Sequence, residues 1–175
     1  MEIMSPLWPR PGIRPPLLTR RSPPNPCPQR DSVGRGALEE ETMPDDPLRP
    51  QTQALLDAVN ALDLDALRAM VDDDYGIVDV DPQGQSVVIE TKDAWDAYMT
   101  TNFAAMRAAG AALSSRVTGY HGEEAGEMGY SVVTFVQRVQ IGETVIENPC
   151  VATIVWKRTP EGWKEARWHC SPAPA

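Results

Sequence analysis

Several features that identify a protein's function are missing or scarce in this 175-residue sequence. No apolar run approaches the ~18 residues of a membrane-spanning helix, which excludes an integral membrane protein. Three cysteines and two histidines are too few to indicate a disulfide scaffold or a zinc site. There is no phosphate-cradling glycine loop and no nucleophile-elbow string. We therefore expect no metal and no cofactor, and a reducing cytoplasm as the location.

Basic side chains are also scarce. The sequence has 16 Lys and Arg against 25 Asp and Glu, a net charge of −9. Affinity for phosphate comes mainly from clustered Lys and Arg, so nucleic acid is not expected as a partner.

Proline is abundant but unevenly distributed, with 12 of the 17 prolines before Gln51. Proline lacks a backbone donor and disfavours helix at its predecessor, so residues 1–45 are predicted to be a disordered tail. Three interpretations of the tail remain open: an ordinary disordered extension, an organellar transit peptide, or a segment upstream of a true start at Met43. Prolines interrupt every candidate apolar core of a secretory signal. The folded domain is expected at residues 46–175.

The folded part begins with helical patterns. An apolar stripe predicts a helix over residues 51–62, and Asp63 caps a short second helix. The acidic run at residues 72–74 ends that helix; it lacks the spacing and the glycine of a calcium loop, so we interpret it as a solvated helix end. Thr91 caps a third helix, with an apolar stripe of four turns over residues 94–106.

The remaining elements are predicted strands. Residues 75–80 and 86–89 form a hairpin, and four further strands are expected at residues 112–120, 128–139, 144–157 and 163–170. Consecutive strands with short turns make an antiparallel meander that follows the helices, so the class is α+β. A strongly curved antiparallel sheet wrapped around the third helix encloses a cone with a cavity at its wide end. The other sheet face is still apolar, which predicts a homodimer.

Three local strings and the order of elements carry a resemblance to a known family. The strings are Val59-Asn60-Ala61-Leu62-Asp63-Leu64-Asp65, Val155-Trp156-Lys157-Arg158, and Gly162-Trp163 continuing to Trp168-His169-Cys170-Ser171. Over about residues 50–172 the sequence resembles the nuclear transport factor 2-like superfamily with its SnoaL-like proteins, and most of all the calcium/calmodulin-dependent kinase association domain and its stand-alone bacterial relatives. The resemblance implies a cone-shaped α+β barrel. It does not fix the function, because this fold hosts isomerases, cyclases, dehydratases, oligomerisation modules and binding proteins.

Asp81 is the first candidate proton carrier. The string Asp81-Pro82-Gln83-Gly84 is similar to the one in which ketosteroid isomerases hold their catalytic aspartate, and desolvation beside an apolar cavity raises the pKa of a carboxyl group. The same string is also a good turn with no further role. The resemblance places Leu55 and Thr153 where those isomerases have a Tyr and a neutral acid, which argues against their mechanism here.

His169 is the second candidate. Strand alternation places it on one face with Glu165 and Arg167, and Ala166, Trp168 and Cys170 on the other. If the polar face lines the cavity, His169 serves as an acid or base and Arg167 orients an anionic or carbonyl ligand. If it faces solvent, His169 is an ordinary residue of the strand end or of a dimer seam.

Six side chains are predicted to contact a ligand: Tyr98, Asn102, Tyr130, Thr134, Ile154 and Arg167. A polar group on an apolar stripe, as at Tyr98 and Asn102, needs a partner or a ligand. Ile154 stands where the kinase association domains have an arginine, which implies a more apolar cavity. The expected function is binding of a small organic molecule. The alternatives are a cofactor-free acid/base enzyme of the isomerase, cyclase or dehydratase type using Asp81 or His169, and an association module.

Overall fold

The computed structural model describes residue 46 and residues 48–80 and 86–173. The predicted disordered tail at residues 1–45 and the turn at residues 81–85, with Asp81, lie outside the described residues. The described part has three helices and six strands: α1 Leu48–Asn60, α2 Leu64–Met70, β1 Val71–Val80, β2 Ser86–Ile89, α3 Lys92–Ala108, β3 Ala112–Ala125, β4 Met128–Ile141, β5 Thr144–Thr159 and β6 Gly162–Pro172.

Capping side chains begin α2 and α3. Asp63 Oδ1 accepts a hydrogen bond from the Ala66 N–H at 2.9 Å, and Thr91 Oγ1 accepts one from the Ala94 N–H at 3.3 Å. Each cap satisfies a backbone donor that has no partner inside its helix, which confirms both predicted caps. Among the described residues, no helix is long and apolar enough to cross a membrane.

The six strands form one curved, open sheet in the order β2-β1-β6-β5-β4-β3. Strands β3 to β6 pair antiparallel in sequence order, and β1 and β2 form the expected hairpin. Strand β1 also pairs with β6, in parallel, and this pairing joins the hairpin to the meander. The predicted α+β class, with three helices and a curved sheet, is confirmed. The sheet is mixed rather than wholly antiparallel, because β1 and β6, which are far apart in the sequence, pair in parallel.

The acidic run belongs to a strand, so its interpretation as a helix end is wrong. Residues 72–74 lie in β1, where the pairing with β6 is interrupted between Val71 and Gly76. Each carboxylate forms an ion pair with a basic side chain of another element: Asp72 with Lys157 at 3.2 Å, Asp73 with Lys92 at 2.9 Å, and Asp74 with Arg167 at 3.2 Å. Partners on α3, β5 and β6 thus accommodate three successive negative charges in extended backbone.

The core lies on the inner face of the sheet, and one buried hydroxyl group organises its polar part. Ser131 of β4 is fully buried, and its Oγ accepts a hydrogen bond from Trp156 Nε1 at 2.9 Å. Thr52 Oγ1 of α1 lies 3.1 Å from the same oxygen, and Tyr120 OH lies 3.3 Å from it. These contacts connect α1 to three neighbouring strands.

Candidate functional site

A cavity of about 100 Å³ lies between α1, α3 and the inner face of the sheet. Most of its wall is apolar, with aromatic contributions from Tyr75, Trp95, Tyr98, Phe103, Phe135 and Trp168. Four side chains bring charged or amide groups to the wall: Asp79, Asn102, Gln137 and Glu165. Asp79 and Trp168 are half-exposed, so the cavity reaches the surface beside them.

Glu165 is the chemically distinctive residue of this cavity. Its side chain is only 2% exposed, and its Oε1 accepts a hydrogen bond from Tyr75 OH at 3.0 Å. Burial disfavours the charged form and raises the pKa of Glu165 to about 8, although the hydrogen bond from Tyr75 lowers it. The carboxyl group is therefore mostly neutral at pH 7, and it can donate as well as accept a hydrogen bond.

Tyr75 is held in place by an aromatic contact. Its ring meets the ring of Trp95 of α3 edge to face, with centroids 5.1 Å apart and planes at 84°. Such arrangements are favoured by the ring quadrupoles. Burial and the neighbouring Glu165 raise the pKa of Tyr75 well above its usual 10, so this hydroxyl stays protonated.

A β-bulge turns Glu165 into the cavity. In the pairing of β5 with β6, Val155 lies opposite Arg167, and the next residue of β5, Trp156, lies opposite Glu165. Ala166, between Glu165 and Arg167, is therefore an extra residue in β6. The extra residue shifts the alternation by one position. The prediction that Glu165 shares a face with Arg167 and His169 is therefore wrong.

The residues after the bulge alternate regularly. Trp168 and Cys170 line the cavity together with Glu165. His169 and Arg167 are exposed on the outer face, so the cavity-lining alternative proposed for them does not match their positions. Arg167 forms an ion pair with Asp74 there.

Two of the six predicted ligand contacts lie on the cavity wall. Tyr98 and Asn102 both line it, and the buried Asn102 donates from Nδ2 to the Tyr98 carbonyl oxygen at 2.9 Å. Ile154 is completely buried in the inner face of β5. It packs in the hydrophobic core and is not one of the residues that form the cavity wall.

Tyr130 and Thr134 lie on the outer face of β4, away from the cavity. Strand β4 buries every second residue from Gly129 to Val139, and these two are at the alternate positions. Tyr130 OH donates to Glu123 Oε2 at 3.0 Å and lies 3.1 Å from His121 Nε2. The expectation that both residues line the cavity is wrong, because the alternation of β4 places their side chains on its outer face.

Glu165, Tyr75, Asp79 and Gln137 were not among the predicted site residues. The period-2 pattern of Tyr75, Ile77 and Asp79 indicated a common face, and all three do line the cavity. A carboxyl group at Glu165, between two tryptophans in one strand, was also visible in the sequence. Neither signal reveals the bulge that brings this carboxyl group inside. In residues 48–80 and 86–173 no group of three His, Cys, Asp or Glu side chains is placed to hold a metal ion.

Comparison with known proteins identifies the family and the fold. The model of the SnoaL-like domain matches residues 51–175. Similar solved structures include a candidate dehydratase of the NTF2-like family from Streptomyces avermitilis, 19% identical with a TM-score of 0.58 over 73% of this chain and 94% of that one. The CaMKII hub of S. rosetta is 17% identical, with a TM-score of 0.58 over 81% and 100%. A candidate ketosteroid isomerase from Shewanella frigidimarina is 16% identical, with a TM-score of 0.56 over 73% and 96%. No curated protein matches the chain.

Proposed function

This chain belongs to the SnoaL-like domain family, and on that premise we propose that it binds a small, mostly apolar organic molecule in the cavity beside Glu165. The observation that carries the proposal is a carboxyl group with 2% exposure and a pKa of about 8 in a mostly apolar wall. A buried acid without charge is suited to hydrogen-bonding one polar group of a ligand.

The size of the cavity limits the ligand. A cavity of 150 Å³ lined by apolar side chains holds benzene, and the cavity here measures about 100 Å³. The ligand is therefore a compact molecule of about one small ring. Its polar group is an acceptor such as a carbonyl oxygen, because Oε1 of Glu165 already accepts from Tyr75 and Oε2 carries the acid proton.

Cyclopentanone and cyclopentane test this proposal as a pair, since they have similar shapes and only the ketone is an acceptor. Binding is followed by heteronuclear NMR of the backbone amides of cavity residues. A hydrogen bond worth about 1 kcal/mol predicts an approximately fivefold preference for the ketone at pH 6 that disappears at pH 9. Glu165→Gln should keep the preference at both pH values, and Glu165→Leu should abolish it. An equal preference in wild type and Glu165→Leu would contradict the proposal.

A second candidate function is cofactor-free proton transfer. Two carboxyl groups line the same cavity, the neutral Glu165 and the half-buried Asp79, and groups with different environments suit the acid and base steps of an isomerisation or dehydration. We propose that Glu165 is the acid that donates a proton to the carbonyl oxygen and that Asp79 is the base that takes the proton from the α-carbon. Asp81, two residues after Asp79, remains a candidate from the sequence alone.

Deuterium exchange at the α-carbons of cyclopentanone in D₂O measures this activity directly. Wild type should accelerate exchange over buffer, and Glu165→Gln should not, although it still binds the ketone. Exchange at the buffer rate in the presence of bound ketone would leave binding as the function and refute proton transfer.

We also propose that two copies of the chain associate through the outer face of β4 and β5. Half-buried apolar and hydroxyl side chains alternate along this face: Val132, Thr134 and Val136 on β4, and Val151, Thr153 and Val155 on β5. The fold shared with a hub domain is consistent with self-association. Sedimentation should give a dimer for wild type and a monomer for Val132→Lys with Val155→Lys. Val88→Lys, at a 62% exposed position of the edge strand β2, is the matched control and should remain dimeric. A monomeric wild type would refute this interface.

A further inference from the structure

Two free cysteines lie together in the cavity wall. Cys150 of β5 is 7% exposed and Cys170 of β6 is 4% exposed, and both line the cavity. Cys170 pairs with Ala152, so Cys150 lies two residues along β5 on the same inner face. On this face the two side chains are diagonal neighbours across the β5–β6 pair. Cys150 Sγ also lies 3.4 Å from the Asn148 carbonyl oxygen, to which it donates.

The contact makes the two thiols chemically unequal. The Cys150 thiol donates to the Asn148 carbonyl oxygen, which leaves its sulfur available to accept a hydrogen bond from the Cys170 S–H. This hydrogen bond lowers the pKa of Cys150, although burial raises it. The same contact raises the pKa of Cys170, and burial and the charge of Asp79 raise it further. Cys150 is therefore the thiol that ionises first, and the thiolate is the reactive form.

The backbone beside Cys150 can adjust. Residues at diagonal positions of antiparallel strands lie farther apart than directly opposite residues, so a bond between these sulfurs requires a small shift of one strand. Next to Cys150, the Ala173 N–H donates to the Pro149 carbonyl oxygen at 2.9 Å, and Pro149 has no backbone N–H to return a second hydrogen bond across this pair. The site also lies close to the end of β6.

We propose that Cys150 and Cys170 form a reversible thiol–disulfide site that small hydroperoxides oxidise inside the cavity. The Cys150 thiolate attacks the terminal oxygen of the hydroperoxide and breaks its O–O bond, which transfers OH to the sulfur and gives a sulfenic acid at Cys150. The leaving alkoxide, or hydroxide from hydrogen peroxide, takes up the proton that Cys150 released on ionising and departs as an alcohol or as water. Cys170 then attacks the Cys150 sulfur, the S–O bond breaks, and water leaves as the disulfide forms. The two sulfurs lose two electrons in total, and the hydroperoxide is reduced by the same two.

Cys27→Ser in the full chain is the background for the test, because it leaves only this pair of thiols. One equivalent of hydrogen peroxide should remove both free thiols and lower the intact mass by two hydrogen atoms, and dithiothreitol should restore both. Tryptic digestion identifies the bond, since Lys157, Arg158, Lys164 and Arg167 separate the two cysteines in the sequence. The expected product is one linked peptide pair from a single chain.

Single variants test the assigned roles. In Cys170→Ser, Cys150 should stop at the sulfenic acid and accept one dimedone label. In Cys150→Ser, Cys170 should react several-fold more slowly than Cys150 does in the reciprocal variant. The proposal is overturned if both thiols survive peroxide that oxidises free glutathione, if the disulfide joins two chains, or if the two single variants react equally fast. None of these readouts depends on the ligand proposed above.

Discussion

The free energy of unfolding should decrease from pH 5 to pH 8 because of one side chain. The pKa of Glu165 is about 8 in the folded protein, against 4.5 for an ordinary glutamate. Between these values the folded state retains a proton that the unfolded state has released, so stability falls as the pH rises. This contribution to the free energy of unfolding is fully present below pH 4.5 and decreases as the pH rises. It is lost once the pH passes about 8.

The size of this effect follows from the difference of about 3.5 between the two pKa values. Each pKa unit corresponds to about 1.4 kcal/mol, which gives about 5 kcal/mol over the whole window. A typical domain has a total stability of ~5–15 kcal/mol, so ordinary unfolding experiments detect the loss. Asp73 and Asp96 have pKa values lowered by Lys92 and Arg68, and their contributions are lost only below the usual 3.8, outside the window.

Urea unfolding followed by tryptophan fluorescence at pH 5, 6, 7, 8 and 9 provides the measurement. Glu165→Gln is the matched variant, because Gln has a similar volume, can accept from Tyr75 and does not ionise. Both proteins retain both histidines, so the difference between their profiles isolates Glu165. Wild type should lose stability relative to the variant between pH 5 and pH 8. Parallel profiles would refute the assignment of a neutral, buried acid.

Two further substitutions test the surroundings of the cavity. Ser131→Ala removes the acceptor of the buried Trp156 Nε1–H and should cost about 1–3 kcal/mol in the free energy of unfolding; a loss below 0.5 kcal/mol, well under that range, would show that the indole finds another partner. Tyr75→Phe removes the hydrogen bond that lowers the pKa of Glu165, so carbon NMR of that carboxyl group should show titration at higher pH than in wild type. A titration midpoint that moves downward would contradict this account of the pair.

Local chemistry made much of the fold predictable from the sequence. Asp63 and Thr91 carry oxygen atoms that cap helices, and the structure shows both in that role. The meander followed from short turns between alternating strands, since neighbours in the sequence then become neighbours in the sheet. These signals act within a few residues, where the sequence specifies geometry directly.

The features that were not predicted depend on distant parts of the chain. The parallel pairing brings Ile77 next to Trp168, and no local pattern encodes that contact. The acidic run lies in extended backbone, where basic side chains of α3, β5 and β6 form ion pairs with it. The bulge at Ala166 arises from the pairing of β5 with β6, and strict alternation therefore assigned Glu165 to the wrong face.

The extra residue Ala166 divides β6 into two halves whose inward-facing positions differ by one residue. Before it, side chains at odd positions point inward; after it, those at even positions do. If Ala166 paired with Trp156 as a regular strand residue, with the strand after it unchanged, Glu165 would face solvent while Trp168 and Cys170 stayed inside. The acidity of the interior therefore depends on the register of a strand as much as on the identity of its residues, and a one-residue slip of the segment before Ala166 would change the chemistry without replacing any functional group.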